Sequence, residues 1–186
     1  MNQAELKILD YIHTHFSCRF LDAVMPIITK FGDGGIFWIA AAVLFIIFKK
    51  TRKTGISMGA ALLIGLIIGN LILKNSFARI RPYDLNPAIL PDMLIKPLSD
   101  FSFPSGHTLA SFEAAVVLLI RDKRFGIPAL VLAVLIAFSR LYLYVHYPTD
   151  VIFSIIVGTA FAFIGNALAG KIADRLPAPA KGKYES

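Results

Sequence analysis

Three short stretches of this chain carry residue types able to handle phosphate. The first runs Lys74-Asn75-Ser76-Phe77-Ala78-Arg79-Ile80-Arg81-Pro82. If a helix continues through it, Lys74 and Arg81 project from nearly the same face, and Pro82 biases Arg81 away from helical geometry. Snorkelling to a lipid interface would explain any one of Lys74, Arg79 or Arg81 equally well. The second stretch, Phe103-Pro104-Ser105-Gly106-His107-Thr108, has the proline and serine of a helix start. The first amides of such a helix lack internal acceptors, and glycine lets an oxyanion approach them, beside a histidine able to donate a proton. An ordinary helix cap with an interfacial histidine is the competing reading. The third stretch is Ser139-Arg140-Leu141-Tyr142-Leu143-Tyr144-Val145-His146-Tyr147-Pro148-Thr149-Asp150. Arg140 lies in apolar sequence, where an unpaired charge costs at least ~2.5 kcal/mol, so it should face the interior and an anion. Pro148 at a helix start puts Asp150 in the first turn. From there it can reach back to His146, fix the imidazole tautomer and stabilise the imidazolium. Each stretch alone has an ordinary explanation. Together they hold the parts for phosphoryl transfer: cations that neutralise charge, a nucleophile and an acid for the leaving group.

The elements that position these stretches are helices in lipid. The 186 residues are 56% hydrophobic and 17% charged, with a mean hydropathy of +0.68, more apolar surface than a soluble domain this size can bury. Leu6, Leu9, Ile12 and Phe16 recur at helical steps among polar residues, which predicts an amphipathic helix on the membrane surface. Residues 21–31 are apolar but too short to cross a core of ~30 Å, and Gly32-Asp33-Gly34-Gly35 breaks them, so they read as interfacial or re-entrant. Five spans follow, at 35–48, 55–73, 105–120, 125–144 and 151–168. The fold class is therefore all-α: a polytopic membrane bundle of five to six transmembrane helices, with residues 21–31 as the source of a sixth. Its parts are an N-terminal region over 1–33, a transmembrane catalytic domain over 34–170 and a cytoplasmic tail over 171–186, with 176–186 a disordered end.

Charge sets the side. Lys49, Lys50, Arg52, Lys53, Arg121, Lys123, Arg124, Lys171, Arg175, Lys181 and Lys183 fall on one face, which should be cytoplasmic. The other face holds the three stretches, and its cations are partly offset by Asp33, Asp84, Asp92 and Asp100. The site is thus expected on the outer side of the plasma membrane, with the N-terminus outside and the C-terminus inside. No cleavable signal peptide is visible at the N-terminus, so the first span would serve as the insertion signal. The net charge of +7 points to anionic lipid as the partner, and not to nucleic acid. A lone Cys18 excludes an intramolecular disulfide and a cysteine-based metal cluster, and reads as a small apolar filler. Glu113, within the third span, reads as a structural bond to another helix, with tuning of His107 as the alternative.

Lys, six residues, Arg-Pro; then Pro-Ser-Gly-His; then Ser-Arg, five residues, His, three residues, Asp: this order resembles the type 2 phosphatidic acid phosphatase (PAP2) superfamily. The resemblance covers residues 74–150. It implies that His146 attacks phosphorus to form a phosphohistidine, that His107 protonates the leaving oxygen and that Asp150 supports His146. It also implies that Lys74, Arg81, Ser105, the Gly106 amide and Arg140 bind phosphoryl oxygens, with no metal ion and no cofactor. Tyr144 departs from relatives that often carry glycine there, and is expected to narrow the pocket. Relatives of this size often recycle the cell-wall carrier lipid, so undecaprenyl diphosphate is the expected substrate. Phosphatidylglycerophosphate or phosphatidic acid is the alternative, and transfer to an acceptor other than water is a further one. A non-enzymatic lipid transporter or binding protein would also use outer cations but leaves both histidines unexplained.

Overall fold

The computed structural model describes residues 2–173; the tail expected over 176–186 lies outside the described residues. Among the described residues every regular element is helical. The α-helices are α1 (Asn2–Phe16), α2 (Arg19–Lys30), α3 (Ile36–Ile47), α4 (Arg52–Ile64), α5 (Lys74–Phe77), α6 (Pro82–Leu85), α7 (Gly106–Arg121), α8 (Lys123–Tyr142) and α9 (Pro148–Ala173), with short 3-10 turns at Asp33–Gly35 and Pro87–Asp92. A π-helical stretch, Gly65–Leu73, joins α4 to α5.

α7 is the axis of the bundle. Leu109, Ala114, Ala115, Val117 and Leu118 are all buried, because α8, α9 and α4 surround it. Its partners turn apolar side chains outward, among them Leu63, Leu66, Leu71, Val131, Ile152 and Phe163, as helices facing lipid do. Among the described residues three segments are long and apolar enough to cross a membrane: Arg52–Leu85, Lys123–Tyr142 and Pro148–Gly170. A fourth follows if α2 and the segment Asp33–Ile47, bent by 40° at the glycine break, count as one broken crossing. The expected five to six is not reached by this measure. α7 has only 16 residues and is sheathed by protein, and the span expected over 35–48 is one arm of the bent pair.

Four expectations need correction. α1 does not simply lie on a surface: Leu9 and Ile12 are buried in a cluster with Tyr142, Leu143, Tyr144, Val145 and Tyr147, while Ile8 and Tyr11 face out. Cys18, between α1 and α2, is exposed, not a buried filler. The helix carrying Lys74 does not continue but stops at Phe77, where Ala78 takes a left-handed φ of 42°, whereas Arg81 is extended before Pro82 as expected. Glu113 makes no interhelical bond through Oε1, which has no hydrogen-bond partner although it is buried. It packs against Gly65, where a Cβ would stand 1.8 Å from that oxygen.

The α7–α8 connection is tight. The Asp122 side chain caps α8 by accepting from the Arg124 amide at 2.9 Å, and a Cβ on Gly126 would fall 2.1 Å from the Leu119 Cα. Backbone cannot yield as a flexible side chain can. Gly126→Val should therefore lower the melting temperature in detergent, a loss of about 1–3 kcal/mol. Gly59→Ala, with open space at its Cβ, should leave it unchanged or slightly raised.

Candidate active site

A cavity of about 630 Å³ lies at one end of the bundle. Lys74, Arg81, Gly106, His107, Arg140 and His146 all reach its wall, joined by Asp100. The cavity continues between α3 and α4 past Ile39, Val43, Leu62 and Leu66, so a polar head opens into an apolar groove. Ser105 and Asp150 lie behind the wall. Six of the eight residues expected from sequence thus meet at one surface, and the other two support it.

The cations are held by protein oxygens. Arg81 is 2% exposed; its Nε donates to the Asp100 carbonyl at 2.8 Å, Nη2 to Asp100 Oδ1 at 2.6 Å and Nη1 to the Val145 carbonyl at 2.7 Å. Lys74 pairs with the other Asp100 oxygen. Lys74 and Arg81 therefore converge without a continuous helix, because one carboxylate bridges them. Burial alone would raise the Asp100 carboxyl, but the two cations hold it down at about 2. Arg140, 1% exposed at the end of α8, donates through Nη1 to Thr29 Oγ1, while its Nε and Nη2 have no hydrogen-bond partner. Buried guanidinium protons need acceptors. An anion in this cavity would provide them.

The loop after α8 carries His146. Its Val145 and His146 amides both donate to the Arg140 carbonyl, at 3.2 and 3.3 Å, a tight reversal with Tyr144 at a φ of 59°. A left-handed φ of this kind favours glycine, so the tyrosine holds this turn at some cost in backbone strain. The Tyr144 hydroxyl points away from the cavity: it donates to Asp10 Oδ1 at 2.6 Å and accepts from Asn86 at 3.0 Å. Tyr144 therefore does not narrow the pocket. His146 Nε2 lies 3.4 Å from Arg81 Nη1, and Nδ1 is 3.5 Å from Asp150 Oδ2. That carboxylate is in ion-pair reach of the ring but bonds more closely elsewhere. Oδ2 accepts from Ser102 Oγ at 2.5 Å and from the Tyr147 amide at 3.0 Å, and Oδ1 meets Arg79.

Ser105 caps α7 with its backbone in an extended conformation, yet its hydroxyl pairs with Thr108 Oγ1 at 3.0 Å and its amide donates to Ser154 Oγ at 2.9 Å. Ser105 shapes the turn that opens α7 and is fully buried just behind the cavity wall. Gly106 does line it. His107 Nε2 is 2.7 Å from Asp33 Oδ1.

Several residues here escaped the sequence reading. Asp100 and Ser102 sit in a segment with no regular pattern. Arg79, read as one more interfacial cation, instead spans Asp150 and Glu5, with Nη2 2.5 Å from Glu5 Oε2 and the guanidinium 3.9 Å over the Tyr147 ring. Glu5 Oε1 accepts from the Thr149 amide at 3.0 Å and its hydroxyl at 2.6 Å, so α1 docks on the first turn of α9. The one sequence signal was a third cation, Arg79, between Lys74 and Arg81.

A membrane bundle whose cations, histidines and helix N-terminus converge on a cavity defines a phosphate-handling membrane enzyme, and similarity makes the class specific. The family pattern described as the PAP2 superfamily matches residues 54–172. An undecaprenyl-diphosphatase of Sulfolobus acidocaldarius is 34% identical over 77% of this chain and 68% of its own. The undecaprenyl-diphosphatase BcrC of Bacillus subtilis is 29% identical over 88% of this chain and 82% of its own. The crystal structure of a transmembrane PAP2-type phosphatidylglycerolphosphate phosphatase from Bacillus subtilis superposes with a TM-score of 0.72 at 26% identity, covering 91% of this chain and 86% of that one. The chain belongs to the PAP2 superfamily and is a membrane-bound PAP2-type lipid phosphatase.

The state of His146 can be checked directly. Burial, then the charges of Arg140, Arg81 and Lys74, push its imidazole well below the ordinary range, so the ring is neutral at pH 7. With the folded value below the unfolded ~6.5, this group leaves stability intact above that pH and erodes it as pH falls below, because the unfolded chain takes the proton first. Nitrogen-15 spectra of histidine-labelled protein should show His146 neutral from pH 8 down to pH 6. A ring already half-protonated at pH 6.5 would contradict this.

Proposed function

We propose that the protein hydrolyses polyprenyl diphosphate at the outer face of the plasma membrane, using a histidine nucleophile and no metal ion. The observation that carries this reading is Arg140: two buried guanidinium nitrogens without acceptors at a cavity wall shared with Lys74, Arg81 and both histidines. Three cations and a helix N-terminus suit the high negative charge of a diphosphate. They also supply the neutralisation that a metal ion would otherwise bring. The groove between α3 and α4 suits an apolar chain leaving the headgroup. The names of the Sulfolobus and Bacillus diphosphatases support the same substrate.

In this reading His146 Nε2 attacks the terminal phosphorus as its bond to the bridging oxygen breaks, and His107 gives that oxygen a proton. The lipid monophosphate leaves. Water then attacks the phosphohistidine, the P–N bond breaks, His107 takes the water's proton, and inorganic phosphate departs. Lys74, Arg81, Arg140 and the Gly106 amide hold the phosphoryl oxygens, Ser105 shapes the turn that presents Gly106, and Asp150 orients His146. The full bundle has five to six crossings, within the division into 1–33, 34–170 and 171–186. The basic loops carrying Lys49, Lys50, Arg52, Lys53, Arg121, Lys123 and Arg124 face the cytoplasm. Phosphatidylglycerophosphate is the second reading, favoured by the fold match to the Bacillus phosphatase.

Purified protein in EDTA should release phosphate from a polyprenyl diphosphate faster than from phosphatidylglycerophosphate, and His146→Ala should lose at least about 10³-fold in kcat. Strict magnesium dependence would overturn the mechanism, and the reverse substrate order would favour the second reading. For sidedness, an Ala88→Cys variant in a Cys18→Ser background should react with an impermeant maleimide in intact cells. Labelling only after lysis would invert the topology.

A further inference from the structure

The glycine break between α2 and α3 has a use beyond ending a helix. Gly34 and Gly35 both take left-handed φ values, 57° and 67°, and the reversal they make carries Asp33 to His107, with Asp33 Oδ1 2.7 Å from Nε2. Gly32 packs flat against the imidazole; a Cβ there would stand 2.7 Å from His107 Cδ2. The backbone of the same residue is fixed from α3, since Ser111 Oγ donates to the His107 carbonyl at 2.7 Å and accepts from Trp38 Nε1 at 3.0 Å. His107 is thus gripped at its ring by the turn and at its carbonyl by a contact that runs back to α3. Two histidines at one cavity each have a carboxylate behind them: Asp150 for His146 and Asp33 for His107.

We propose that Asp33 is a positioning residue for the leaving-group acid, accepting a hydrogen bond from His107 Nε2 and so reserving the Nδ1 proton for the departing oxygen. This rests on the acid role given to His107 under the proposed function. When the P–O bond breaks, the Nδ1 proton passes to the leaving oxygen, and the neutral ring stays in the Nε2–H tautomer that Asp33 accepts. Water attack on the phosphohistidine later returns a proton to Nδ1, so the cycle balances. The charged and titratable groups around the ring are Asp33 from the turn, Lys74 of α5, Arg140 of α8 and His146 from the loop after α8. An imidazolium among cations needs a carboxylate in contact, and Asp33 is placed to be that contact. Asp33 is itself exposed, so its replacement need not disturb the core.

The test compares leaving groups that need a proton with one that does not, using decyl phosphate and 4-nitrophenyl phosphate. Asp33→Asn should lower kcat on decyl phosphate by about 10-fold or more, a part of what general acid catalysis supplies, with KM little changed. On 4-nitrophenyl phosphate it should lose less than about 3-fold, because nitrophenolate departs unprotonated. The alkaline limb of the decyl phosphate pH profile should move to lower pH, and Asp33→Glu should restore part of both rate and limb. His107→Ala provides the reference. If it shows the same dependence on leaving group while Asp33→Asn shows none, the role of Asp33 is overturned and the acid role stands. If His107→Ala loses equally on both esters, the acid role fails and this proposal fails with it. Equal loss from Asp33→Asn on both esters, with the pH limb unmoved, would mark Asp33 as merely structural.

Discussion

Lys74, Arg81 and Arg140 share one cavity at the end of an apolar bundle, and their mutual repulsion is the constraint on which the rest of the structure depends. Two like charges about 4 Å apart at an effective dielectric of about 20 repel by roughly 4 kcal/mol, and desolvation adds to that cost. The chain answers with oxygens at fixed places. Asp100 bridges Lys74 and Arg81, the Val145 carbonyl takes a third bond from Arg81, and Thr29 holds one end of Arg140. These acceptors come from α2, from the segment before α7 and from the loop after α8. Elements far apart in sequence must therefore dock before the cavity exists.

The same need for paired charge explains why the N-terminal helix is part of the site's support. Asp150 is fully buried at the start of α9, and burying a lone carboxylate would be prohibitive. Ser102, the Tyr147 amide and Arg79 satisfy it, and Arg79 is in turn shared with Glu5 of α1. An amphipathic helix whose apolar stripe could rest on lipid is instead fixed by one buried glutamate, with Leu9 and Ile12 filling the space beneath. This chain of charges ends at the ring of His146.

Much of the site was legible because its chemistry is local in sequence. Lys74, Arg81, Gly106, His107, Arg140 and His146 each announce themselves by residue type beside a helix end, and all six reach the cavity. What was not legible depends on contacts across long stretches of chain. Asp33 meets His107 across 74 residues and Glu5 meets Arg79 across 74, and neither carries a local pattern. Ser105 has the type of a phosphate ligand, but it is buried behind the cavity wall with its amide given to Ser154. The helical nature of the chain follows from its apolar runs. Helix length and apolarity alone pick out three or four crossings among the described residues, because α7 has 16 residues and is wrapped by other helices.

The central claim is that His146 itself carries the phosphoryl group during turnover. The most direct measurement is to quench the enzyme during turnover of substrate carrying phosphorus-32 in its terminal phosphate and to map the protein-bound label. The prediction is a label stable in base, labile in acid and located on His146, absent from His146→Ala. A label on another residue, or equal labelling of the His146→Ala protein, would contradict it.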